Sequence, residues 1–249
     1  MSSYGRLADS YDLFTADVEY SVWADYYEEI FRRFHAKPEM ILDLACGTGS
    51  LTVALAQRGY DMIGVDASSD MLAVAMQKAQ ELPGMPLFLC QRMEELDLYG
   101  TVDAAICALD SLNYLTSAAA LRTAFARLRF FVRPGGLVIF DVNTEAKFRA
   151  MDGESYLRDE EDHFCAWSAE YDENTRLCRM MMDIFDRDGA LWARSSEEHI
   201  ERAHSEEELH AALRDAGFRC LARWDALSFR DADAASQRVF WVAERGEQV

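Results

Sequence analysis

The sequence predicts an α/β fold: a mostly parallel sheet with helices on both faces, an N-terminal helical cover and an inserted antiparallel β-sheet. Three observations predict it. From residue 38 to about residue 142, short apolar runs of strand length alternate with segments of helical period, which is the pattern of successive βα units. Three strand-like runs then follow one another with hairpin signals between them. The first 37 residues read as helix. The implied division is a cover over residues 1–37, a core domain over 38–144 and 203–249, and an insert over 145–202.

The elements follow in order. Leu7, Tyr11 and Phe14 recur at helical spacing. A second helix is predicted from Tyr20 to His35, rich in aromatics such as Trp23, Tyr26, Tyr27 and Phe31, and Pro38 closes it. Met40 to Ala45 is an apolar strand. Leu51 to Arg58 is a helix stopped by Gly59. Asp61 to Val65 is the second strand and Ser69 to Gln80 the next helix, with Pro83 and Gly84 after it. Leu87 to Cys90 and Val102 to Leu109 are the third and fourth strands. Ser117 to Val132 is a helix ended by Pro134-Gly135-Gly136, and Leu137 to Val142 is the fifth strand. In the insert, strands are predicted over His163 to Tyr171, Arg176 to Phe185 and Ala190 to Arg202. Asp172-Glu173-Asn174 and Asp188-Gly189 supply the turns. Ser205 with Glu208 forms a capping box that opens a helix to Ala216, and Gly217 ends it. Arg219 to Leu227 and Gln237 to Glu244 bring the main sheet to seven strands.

Bulk properties narrow the function. Half of the 249 residues are hydrophobic, enough for a full core. No apolar run approaches the roughly 20 residues of a membrane helix. Met1 to Asp12 lacks the basic start and apolar stretch of a signal peptide. A cytoplasmic protein without a membrane partner is expected. The six cysteines are scattered singly, never as C-x-x-C, which argues against a zinc cluster. Cys90 and Cys107 end apolar runs and read as buried strand residues. The chain has 25 basic against 44 acidic residues. A net charge of −19 repels phosphate backbones and argues against nucleic acid. Arg122, Arg127, Arg129 and Arg133 read as the solvated face of one helix.

The chemistry concentrates in the first βα turn. A strand running into Gly47-Thr48-Gly49 and opening a helix is a nucleotide site by geometry: the ligand presses on bare backbone and meets a helix N-terminus. A dinucleotide would require a third glycine where Thr52 stands. It would also place its pyrophosphate beside the carboxylate of Asp43, which repels it. S-adenosylmethionine (SAM) has no phosphate and carries an ammonium group that Asp43 can hold. Asp66 ends the second strand, 17 residues after Gly49, where a carboxylate takes both ribose hydroxyls.

Asp43-Leu44-Ala45-Cys46-Gly47-Thr48-Gly49 resembles the first motif of the class I SAM-dependent methyltransferases. Val65-Asp66-Ala67-Ser68-Ser69-Asp70-Met71 resembles their second motif, and Arg133-Pro134-Gly135-Gly136 their entry to the fifth strand. Leu7 to Asp12, Asp17 to Trp23 and Asp110-Ser111-Leu112-Asn113-Tyr114-Leu115 are similar to the bacterial YqeM-like branch, and the insert resembles that of amino-sugar N-methyltransferases. The resemblance implies a Rossmann-like fold, an enzyme of methyl transfer, and SAM as cofactor with S-adenosylhomocysteine (SAH) as product. It implies a cofactor site over Asp43, Ala45, Gly47, Thr48 and Gly49, then Asp66, Ala67 and Met71, with Met71 beside adenine. Arg92, Met93, Leu109 and Asp110 complete it, under a cover bearing Tyr11, Tyr20 and Trp23. Arg92 stands where the family often has an acid for the adenine amino group. Adenine would be held instead by backbone at Arg92 and Met93, or by Gln91.

Methyl transfer needs nucleophile, methyl and sulfur held in line, and a base only if the nucleophile arrives protonated. The motifs therefore identify the cofactor and not the acceptor. Asn113-Tyr114 lacks the prolines of the N-P-P-Y motif that cradles planar amino groups. Tyr11 and His199 are the candidate catalytic residues. The expected partner is a small-molecule acceptor, an amine among the candidates, for a monomer or homodimer. The alternatives are RNA or protein as acceptor, or a regulatory protein that binds SAM without turnover.

Overall fold

The computed structural model describes residues 11, 12, 15 and 17–247. Its first continuous helix, α1, spans Tyr20–Arg33. Then come β1 (Met40–Leu44), α2 (Ser50–Ala56), β2 (Asp61–Asp66), α3 (Ser69–Ala79), β3 (Leu87–Cys90), β4 (Val102–Cys107), α4 (Ala118–Phe131) and β5 (Val132–Asn143). A short helix α5 (Glu145–Met151) leads into β6 (Ser155–Asp159), β7 (His163–Asp172), β8 (Leu177–Asp188) and β9 (Leu191–Arg202). Helix α6 (Glu206–Asp215), β10 (Phe218–Asp225) and β11 (Arg238–Arg245) complete the order.

The main sheet has seven strands in the order β10-β11-β5-β4-β1-β2-β3. Strands β1 to β5 pair in parallel, and β11 runs antiparallel to both β5 and β10. From β1 the chain builds β2 and β3 on one side and β4 and β5 on the other. That reversal opens a crevice at the carboxyl ends of β1 and β4, where α/β sheets bind ligands.

The side-chain period of two sends alternate residues to opposite cores. Ile41, Ile106 and Ile139 face a core shared with Trp23, Tyr26, Tyr27, Ile30 and Phe31 of α1. Leu42, Leu44, Ala105, Val138 and Phe140 face the other, under α4 and α6. Burial on both faces is why these strands read as unbroken apolar runs. Cys90 departs from its expected burial: it is exposed, because β3 is the sheet's edge and has a neighbour on one side only. The capping box at Ser205 and Glu208 is formed.

The second sheet, β6-β7-β8-β9, is antiparallel throughout. It contains one strand more than the pattern gave, β6, and the preceding helix α5 was also not foreseen. Both are short, and β6 is largely exposed, so neither carries a clear hydrophobic period. Phe148 and Met151 of α5 pack on Ala169, Tyr171 and Cys178, tying this sheet to the main body. The fourth strand ends at Cys107 rather than Leu109, because Leu109 and Asp110 turn into the left-handed region at φ 56° and 54°. The fifth begins earlier, at Val132, with its register to β4 shifting past the Pro134-Gly135-Gly136 bend. Of the first predicted helix, Tyr11 and Asp12 are helical, while Leu7 and Phe14 lie outside the described residues.

Candidate functional site

The glycine turn sits at the carboxyl end of β1. Its two glycines do different work. Gly49 has φ 73° and caps α2; a Cβ on it would lie 2.7 Å from the Ala75 Cβ, so α3 packs directly on bare loop. Gly47 has φ 55°, lines the cavity below, and a Cβ on it would meet nothing within 4 Å. It is the bare surface offered to a ligand.

Two carboxylates flank the turn. Asp66 accepts the Gly47 N–H at 2.9 Å and the Ser68 N–H at 2.8 Å, which fixes its orientation at the cavity wall. Burial raises its pKa. Asp43 is deeper and buried, and Thr52 Oγ1 donates to it at 2.5 Å. Burial, with the nearby Asp66 charge adding to it, pushes Asp43 up to about 7. A carboxyl so raised is stabilised as an anion by an incoming cation. Thr52, which breaks the dinucleotide pattern, is therefore the partner of Asp43.

A cavity of about 610 Å³ opens beside these groups. Its walls include Tyr11, Ala45, Gly47, Asp66, Ala67 and Met71, then Arg92 and Met93, and Ser111 and Tyr114 after β4. Glu198 and Ile200 of β9 close the far side. A smaller recess of about 40 Å³ adjoins it, lined by Tyr20, Asp43, Thr48 and Leu109 among others. Thr48 itself is buried, its hydroxyl donating to Asp12 at 2.7 Å. Ser50 and Lys78 also bind the Asp12 carboxylate, at 3.3 and 2.5 Å. This contact docks Tyr11 over the glycine turn. Gln91 cannot serve adenine with its side chain, since its amide is spent on the Asp97 backbone at 3.0 and 2.9 Å.

Four of the expected residues line neither cavity: Gly49, which packs on α3, His199, and Trp23 and Asp110. Trp23 is a core residue: it packs on Phe240 at 5.4 Å between ring centroids. Asp110 points into a buried polar network. Arg238 binds it at 2.7 Å and also pairs with Asp141. Asp141 in turn accepts the Leu109 and Asp110 N–H groups at 2.8 and 2.9 Å. The arginines read as one face are also dispersed. Arg127, Arg129 and Arg133 bind Leu96 and Asp97, Ala216, and Asp103, and Arg133 stands on β5.

The charged groups on the cavity walls are Asp66, Glu94 and Glu198 against Arg92, with Asp43 in the recess. An acid-rich wall suits a sulfonium and an ammonium, and repels a pyrophosphate. SAM brings an activated methyl group on a sulfonium to such a site.

A family model described as a methyltransferase domain matches residues 41–136. YqeM of Bacillus subtilis (strain 168) is 29% identical over 250 residues, covering 99% of this chain and 98% of that one. The structure of a SAM-dependent methyltransferase from Clostridium acetobutylicum ATCC 824 is 30% identical, covers 98% of this chain and 99% of that one, and superposes with a TM-score of 0.89. The chain belongs to the SAM-dependent methyltransferases. A further neighbour is SAM-bound CalS10 from Micromonospora echinaspora, an amino pentose methyltransferase, at 26% identity, 92% coverage of each chain and a TM-score of 0.73.

In this methyltransferase the segment after β4 is held rigidly. Asn113 is fully buried: its amide donates to the carbonyls of Asn143 and Arg202, each at 2.9 Å, and its oxygen accepts the Asn143 N–H at 3.0 Å. Asn113 therefore ties β9 to β5 and is committed to backbone. Tyr114, beside it, faces the cavity and reaches His199 Nδ1 at 3.2 Å. His199 is a buried mid-strand residue of β9. Sequence reasoning missed Asp12, Tyr114, Asp141, Arg238 and Glu198. Only for Asp12 and Tyr114 was there a signal, in the segments resembling the YqeM-like branch.

Proposed function

We propose that this methyltransferase moves the SAM methyl onto a small-molecule amine. One observation carries the reading: Tyr11 from the N-terminal segment and Glu198 and Ile200 from the second sheet wall the same cavity as the glycine turn. The acceptor would then enter a cavity of about 610 Å³ walled by Tyr11 on one side and β9 on another, a volume suited to a small molecule. Its acidic lining and the net charge of −19 favour a cationic acceptor over a polyanion. The amino pentose activity in the name of CalS10 supports the same class.

In this reading Asp43 and the recess take the ammonium end of SAM. Asp66 takes the ribose hydroxyls, and Met71 with the backbone at Arg92 and Met93 takes adenine. Tyr11 closes over the sulfonium, its ring presenting a π face to the positive charge.

Mass spectrometry of ligands that co-purify with the protein, followed by radiolabelled SAM with a panel of primary and secondary amines, tests the proposal. Methylated amines are the expected product. Label entering transfer RNA or protein while every amine stays unlabelled overturns it.

A further inference from the structure

Three polar side chains form a chain leading away from the cavity. Tyr114 lines it; its hydroxyl lies 3.2 Å from His199 Nδ1, and the other ring nitrogen, Nε2, lies 3.4 Å from Glu197 Oε2. The two rings meet edge to face, at 84° and 6.0 Å. The histidine side chain is 3% exposed and that of Glu197 8%. Strand parity arranges this: Glu197 and His199 share one face of β9, while Glu198 and Ile200 project from the other to the cavity wall. Tyr114 is fixed at its end by the Asn113 hydrogen bonds to β5 and β9.

We propose that Tyr114 is the group that deprotonates the acceptor, with His199 and Glu197 as the positioning residues that receive and stabilise the proton. The assignment rests on the amine reading only for the nature of the acceptor. A nucleophile, a base in hydrogen-bond reach and a carboxylate orienting that base is the general form of an activated site. In this relay the tyrosine hydroxyl donates to Nδ1, which makes Nε2 the protonated nitrogen and leaves it facing Glu197 Oε2 across 3.4 Å.

The step balances. An ammonium acceptor gives one N–H proton to the Tyr114 oxygen while the Tyr114 hydroxyl proton moves to His199 Nδ1. The freed nitrogen pair forms the C–N bond to the methyl as the C–S bond breaks, and that electron pair stays on sulfur. The imidazolium, facing Glu197, returns its proton to solvent. Glu201, next on the same face of β9, accepts instead from the Asn143 amide at 3.5 Å, and burial raises its pKa.

The test uses the full chain with SAH bound and its five histidines labelled with 15N. A long-range 1H–15N spectrum, with His199→Gln for assignment, should show His199 neutral and protonated on Nε2. Tyr114→Phe should shift its Nδ1 resonance. Protonation on Nδ1, or an Nδ1 resonance unmoved by Tyr114→Phe, overturns the proposal. In parallel, for any amine that the wild type methylates, Tyr114→Phe should lower kcat by about 10²–10³-fold with the SAH Kd held within about twofold. Wild-type kcat in that variant also overturns it. If no amine is methylated the acceptor reading falls, and the tautomer alone decides the relay.

Discussion

Gly47 and Gly49 stand two residues apart in one turn, yet replacing each by alanine should damage different properties. Both have positive φ, 55° and 73°, so each variant bears the left-handed cost of an L-residue, about 1–2 kcal/mol. Beyond that they part. The added methyl at 49 would lie 2.7 Å from the Ala75 Cβ and 3.2 Å from its Cα. Helix backbone cannot swing aside as a side chain does, so overpacking adds about 1–3 kcal/mol. At 47 the methyl meets no atom within 4 Å and stands at the cavity wall. The backbone cost cancels between the two, so Gly49→Ala should be the less stable by about 1–3 kcal/mol, roughly 2–12 °C in Tm for a chain of this size. Gly47→Ala should bind SAH about 10–100-fold more weakly, since the same overpacking now falls on the ligand. Thermal unfolding without ligand and calorimetry with SAH measure the two effects. Equal Tm losses, or unimpaired SAH binding by Gly47→Ala, would refute the division of labour.

On the proposed reading Asp66→Ala removes two charge-assisted ribose contacts of about 1.5–3 kcal/mol each, so SAH affinity should fall roughly 10²–10⁴-fold by calorimetry. Asp43 sets a pH dependence. Its folded pKa, about 7, lies above the unfolded value of about 4, so its contribution is full below about pH 4 and is lost as pH rises through about 7. Asp43→Asn should therefore gain stability relative to wild type between those limits. Taking the difference removes the opposite trend of His204, whose pKa burial lowers to about 4. Asp12→Asn weakens the hold on Thr48, Ser50 and Lys78; the pair is partly exposed, so SAH should dissociate only about fivefold faster in stopped flow. Asn113→Ala breaks three buried hydrogen bonds and should cost roughly 2–4 kcal/mol in urea unfolding; retained stability would show that β9 is held otherwise.

Much of the fold was legible because its signals are local. Capping at Ser205 and Glu208, the glycine stops and the alternation of strand and helix all act within a few residues. Strands buried on both faces announced themselves as apolar runs. What escaped was weakly patterned: β6 is largely exposed, and α5 is only seven residues long. Trp23 was offered to the cofactor, but its spacing with Tyr26, Tyr27, Ile30 and Phe31 is that of a core stripe, and the structure buries it against Phe240.

The sequence by itself determined the glycine turn, its two flanking carboxylates and the identity of the cofactor. Asp43, Gly47, Gly49 and Asp66 lie on two adjacent parallel strands and their turns, so short-range chain geometry brings them together and charge selects SAM. The supports around that turn and the far wall of the cavity were decided by tertiary structure. Asp12 meets Lys78, Asp141 meets Arg238, and Tyr114 meets His199, across 66, 97 and 85 residues of chain. No local period encodes such meetings. The last depends on how β9 lies against the turn after β4 and on strand parity, where a one-residue slip would exchange His199 for Glu198.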